Sequence, residues 1–164
     1  MLEFFPIEIT YKKRLKEDFD EFSNQQILDF FIKDFQDSGV NNIRRETDNK
    51  VVADIMFFAV RPGWNWNRWV GISQGSVQIL GNDNDSQRLI VYRFNQTRLF
   101  IIAVIASVIF GIVSQEWYTG LFAFGVLGIL NWIIKLIQHS STFYGTFTDM
   151  KTERKKEMKE KNGL

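Results

Sequence analysis

The chain has 164 residues, 20 Lys and Arg against 19 Asp and Glu, one histidine and no cysteine. The lack of cysteine excludes a disulfide scaffold, a thiol nucleophile and any Cys-ligated zinc or iron–sulfur centre, and a single imidazole, His139, excludes a His-rich metal site. A formal charge of +1 argues against nucleic acid as a main partner. The mean hydropathy of -0.14 is that of a soluble protein, but it averages two unlike regions. Between residues 99 and 134 the only charged side chain is Glu116, while both flanks are polar, as in a membrane protein with water-facing ends.

Along the chain, Phe5, Ile7, Ile9 and Tyr11 alternate with Pro6, Glu8 and Thr10, a period-2 pattern for a half-buried strand that Pro6 places at a sheet edge or at the strand's start. Leu15, Phe19 and Phe22 follow at helical spacing. Ser23 with Gln26 forms a capping box, and Ile27, Leu28, Phe31, Ile32 and Phe35 give an apolar helical face that stops at Gly39. One broken helix or two short ones are expected over residues 12–38.

The pattern then turns to strands. Residues 50–60, 68–80 and 87–94 are rich in Val, Ile, Phe and Tyr and are separated by Asp48-Asn49, Pro62-Gly63 and the polar run 81–86; a short strand near Ile43 can pair into the first turn. The expected fold class is therefore α+β: a small antiparallel-sheet cytoplasmic domain of three to five strands with one or two helices on one face, followed by a two-helix transmembrane hairpin. The expected divisions are residues 1–98, the α+β domain; 99–137, the hairpin; and 138–164, a basic cytoplasmic tail.

A helix crossing a hydrocarbon core of ~30 Å needs about 20 residues. The two apolar runs reach that length with their flanks, as helices over residues 97–115 and 118–137 and a turn near 114–120. Arg98 and Lys135 can snorkel at the helix ends, and Trp117, Tyr118 and Trp132 are the aromatic residues expected at the interfaces. Arg88, Arg93 and Arg98 precede the first helix and Lys135, Lys151, Arg154, Lys155 and Lys156 follow the second, whereas the turn has no Lys or Arg. This asymmetry predicts a two-pass protein integral to the cytoplasmic (inner) membrane, both termini cytoplasmic. Residues 1–6 lack the basic start and long apolar run of a signal peptide.

Only residues 95–98 separate the last strand from the first apolar helix, so the sheet is expected close to the bilayer, with the turn at 61–69 on its membrane side. That turn holds Trp64, Trp66 and Trp69 beside Arg61 and Arg68. Its tryptophans either pack on the sheet, anchor in the headgroup region or line a ligand pocket. His139 is expected at headgroup level.

No catalytic constellation is present in the sequence. Glu17, Asp18, Asp20 and Glu21 form a solvated charge run. Asp83-Asn84-Asp85 lacks the Gly and closing Glu of a calcium loop, and the run from Gly71 to Gly75 lacks the spacing and the Lys-Ser/Thr of a phosphate loop; glycine there marks a bulge or bend. No cofactor is implied. Ala103, Ser107 and Gly111 instead draw a small-residue stripe down the first helix, with Gly125, Gly128 and Asn131 on the second. Such features pack helices in lipid, either within the hairpin or against other membrane helices. The expected function is a non-catalytic accessory or scaffold subunit of a membrane protein complex, its partners being other membrane subunits or a second copy, and the lipid bilayer. The alternative is a membrane-surface module binding lipid or a ligand through the tryptophan-rich turn.

Overall fold

The computed structural model describes residues 8–15, 19, 21–55, 69–83 and 88–161. Five strands, β1 (Glu8–Arg14), β2 (Ile43–Thr47), β3 (Lys50–Asp54), β4 (Gln74–Leu80) and β5 (Leu89–Asn95), form one antiparallel sheet in the order β1-β5-β4-β3-β2. The α+β expectation holds, at the upper end of the expected strand number. Helix α1 (Asn24–Asp37) lies between β1 and β2.

The register fixes which side chains face the core. Tyr11, Tyr92, Val77 and Val51 stand in one row across four strands, and Ile9, Phe94, Gly75 and Ala53 in the next. Both rows point to the covered side, so alternate residues such as Arg93 and Ser76 face outward. On α1, Ile27, Leu28, Phe31 and Phe35 are wholly buried against this face. Ser23 caps the helix in a full capping box, its hydroxyl accepting from Gln26 N while Gln26 Oε1 accepts from Ser23 N. Gly39 ends it at φ 84°, a conformation that favours glycine. The helix is shorter than the spacing of residues 12–38 predicts. Lys12 to Arg14 continue β1, because pairing with Val91, Ile90 and Leu89 satisfies their backbone. Residues 1–7 and 56–68, with Pro6, Trp64 and Trp66, lie outside the described residues.

After β5 come α2 (Thr97–Ser114), α3 (Trp117–Phe124), a π-helical stretch (Gly125–Leu130) and α4 (Asn131–Lys161). The last three run on without a break as one long helix. Its C-terminal half supplies the sheet's second covering layer, with Phe143, Phe147 and Met150 buried among Ile9, Phe19, Phe31 and Tyr92. The expected tail from residue 138 is thus corrected over its first half: residues 139–150 are a core helix. Lys151, Glu153, Lys155, Lys156, Lys159 and Glu160 are exposed, while half-buried Arg154 pairs with Glu21 and ties the helix end to the region before α1.

Candidate functional site

Among the described residues, two helices are long and apolar enough to cross a membrane, α2 and the first part of the long helix. In α2 only Leu99 and Ala103 are buried. Ile101, Ile105, Ile112, Val113 and Phe122 are among many large apolar side chains left exposed on the pair. The turn between the helices has Gln115 at φ 58°. Ser114 Oγ donates to Phe110 O at 2.8 Å and meets Thr119 Oγ1, which tightens the corner. Trp117 and Tyr118 stand exposed at this tip.

The small-residue stripe faces the other helix of the same pair. A Cβ added at Gly120 would lie 2.7 Å from Ser107 O and 3.4 Å from Gly111 Cα, and one added at Gly128 would lie 3.3 Å from Ala103 Cβ. Backbones touch along this seam because Gly120 and Gly128 have no side chain to hold them apart. Gly120 belongs to the seam although sequence reasoning placed it in the turn, while Gly125, expected in the interface, has nothing within 4 Å. Asn131 Nδ2 donates to Leu127 O in its own helix at 3.1 Å, so its amide is satisfied beside the π-helical stretch.

At the base of the pair the two connections to the sheet domain meet. Leu99 N donates to Gly71 O at 3.1 Å, Arg98 donates to Ile55 O, and Asn95 Oδ1 accepts from Thr97 N at 2.9 Å, which removes any flexible joint between β5 and α2. On the long helix, the His139 ring stacks on Phe94 with centroids 3.9 Å apart and meets the Trp69 indole edge-on at 4.9 Å. Its Nδ1 lies 2.5 Å from the Tyr92 hydroxyl. Tyr11 donates to Leu136 O at 2.8 Å. Burial, and secondarily the charge of Tyr144, raises the Tyr11 pKa above its ordinary value.

Several expected interface anchors are therefore in the core. Trp69 is wholly buried, edge-on to Phe35 at 5.0 Å, because Gly75 leaves a slot: a Cβ there would lie 2.6 Å from the indole. Gly75 thus makes room for a ring rather than a bulge. His139 is enclosed rather than at headgroup level, and Trp132 packs partly buried against the core. Lys135 is 2% exposed, its Nζ 3.3 Å from Gln138 Oε1, so it does not snorkel into solvent. Arg98 is half-buried at the joint.

Enclosure keeps the His139–Tyr92 pair away from any substrate. Among the described residues, no three His, Asp or Glu side chains come together as metal ligands would. The sheet's outer face forms a shallow polar depression with the ion pairs Arg44–Asp54 at 3.4 Å, Lys50–Glu46 at 2.5 Å and Arg93–Glu8 at 3.8 Å. Lys50 hydrogen-bonds Glu46 and holds its carboxyl below the usual range. This is a self-neutralised, solvated face. Comparison with known protein families, curated proteins and solved structures returns no match to this chain.

Proposed function

We propose that the chain is a non-catalytic integral membrane protein whose helix pair crosses the cytoplasmic membrane twice and serves as an accessory or scaffold subunit of a membrane complex. The observation that carries this reading is α2: eighteen residues, about 27 Å at ~1.5 Å per residue, with only Leu99 and Ala103 buried. A core helix of a soluble protein hides its apolar side chains; this one exposes them everywhere outside the seam with the second helix, as a helix in lipid does. Lys and Arg at the base and none in the turn support cytoplasmic ends.

Because the small-residue stripe is used within the hairpin, partner helices are assigned to its outer faces, around Ile101, Ile105 and Phe122. Gentle extraction of the tagged protein followed by native mass spectrometry tests the function. A defined complex with other membrane subunits, or a fixed homo-oligomer, is expected. A lone monomer at native expression level would overturn the subunit reading.

A further inference from the structure

The packing of the helix pair leaves a groove open beside its seam. Val104, Val108 and Ile112 on α2 face Trp117, Leu121 and Phe124 on α3 across it. Its volume of about 630 Å³ lies within the range of about 300–1,000 Å³ of small-molecule sites. The floor is Ser107, Gly111 and Gly120, where the two backbones touch. The Ser107 hydroxyl donates to Ala103 O in its own helix, so it needs nothing from an occupant. The α2 wall is β-branched throughout and therefore stiff, which keeps the groove formed when it is empty.

Shape selects the occupant. Residues 104–112 rise only about 12 Å at ~1.5 Å per residue, less than half of a hydrocarbon core of ~30 Å. Toward the base the groove ends at Phe124, whose ring would lie 3.3 Å from a Cβ on Gly128 and so covers the seam there. Toward the turn it opens beside Gln115 and Trp117. A partner helix crosses both leaflets and needs a groove along the whole of α2. A polymethylene chain entering from the turn side needs only this half.

Charge at the open end selects the headgroup. Glu116 stands exposed between Gln115 and Trp117 and is the only charged residue between Arg98 and Lys135. A carboxylate in a turn without Lys or Arg attracts an ammonium and repels a headgroup of net negative charge. A primary ammonium also donates hydrogen bonds to carboxylate and carboxamide oxygens, which a quaternary one cannot.

We propose that this groove binds one acyl chain of an amino phospholipid of the phosphatidylethanolamine type from the leaflet on the turn side, with the headgroup ammonium donating to the Glu116 carboxylate and to Gln115 Oε1. The site rests on the reading that the hairpin lies in a bilayer.

The test uses the full chain in nanodiscs of equal parts phosphatidylethanolamine, phosphatidylcholine and phosphatidylglycerol, released into native mass spectrometry. The native chain is expected to retain phosphatidylethanolamine over either other lipid by about fivefold, the size of one ion pair in contact with water. Glu116→Gln should remove the preference and keep the bound lipid. Val108→Trp fills the groove from an exposed wall position and should remove the bound lipid itself. Ile109→Trp, exposed and outside the groove, should behave as the native chain and controls for the added indole. Equal retention of the three lipids by the native chain, or a preference that survives both Glu116→Gln and Val108→Trp, would overturn the site. A second copy of the chain, held without lipid preference and lost on Val108→Trp, would assign the groove to a helix instead. A chain that stays soluble and monomeric without detergent would overturn the membrane reading itself, an outcome distinct from loss of lipid selectivity.

Discussion

The imidazole of His139 lies on the ring of Phe94, centroids 3.9 Å apart and planes inclined by 17°. Phe94 belongs to the strand that leads into the first apolar helix, and His139 to the helix that leads out of the second. This one stacking contact therefore closes the base of the hairpin. With Leu99 bonded to Gly71 and Tyr11 to Leu136, it makes the sheet domain and the hairpin base a single packed unit.

Removal of α4 is accordingly expected to unfold the sheet domain. A chain ending at residue 137 loses Phe143, Phe147 and Met150 from the core and should show no protease-resistant domain, whereas one ending at residue 156 should keep it. Phe143→Ala alone should cost about 3–5 kcal/mol in urea unfolding.

The seam predicts opposite outcomes for two glycines of the hairpin. Gly120→Val drives a side chain into Ser107 O and should destabilise the detergent-solubilised protein by about 1–3 kcal/mol. Gly125→Ala meets open space and should be neutral or stabilise by up to about 1 kcal/mol. Thermal melting in a mild detergent distinguishes them.

Arg88 is wholly buried and donates to Phe22 O at 2.7 Å, Phe19 O at 2.6 Å and Asn24 Oδ1 at 3.1 Å. Arg88→Met leaves these acceptors enclosed and unpaired, so a loss of about 3 kcal/mol or more is expected in urea unfolding. Lys at this position keeps the charge but not the fork and should rescue little.

Alkaline pH should weaken the fold through Tyr11. Its pKa is raised in the folded state, so the neutral phenol's contribution is fully present below the unfolded value near 10 and is lost as pH rises through the folded value. Tyr11→Phe should lower stability at neutral pH by about 0.5–1.5 kcal/mol and flatten the decline above pH 10. Denaturant midpoints from pH 7 to 11 check both.

The sheet, the Ser23 cap, the Gly39 stop and both apolar helices are legible in the sequence because each carries a local period or a local cap. The second covering layer was also written there: Trp132, Leu136, His139, Phe143, Phe147 and Met150 recur at helical spacing. It was missed because the hydrophobic run ends at Ile137 and the charged residues from Lys151 make the remainder resemble a tail. Trp69 misled for a different reason. Its slot depends on Gly75, which faces it only through long-range pairing of β4. Whether Ala103, Ser107 and Gly111 pack inward or outward is likewise fixed by partners on another helix, Gly120 and Gly128.

The absence of native cysteine permits the most direct measurement, labelling of single introduced cysteines by a membrane-impermeant maleimide. With Gln115→Cys at the hairpin tip and Lys156→Cys near the end of α4, intact spheroplasts should label only the tip, and inside-out vesicles only the α4 position. Labelling of both positions from the same side would contradict a hairpin that crosses the membrane twice.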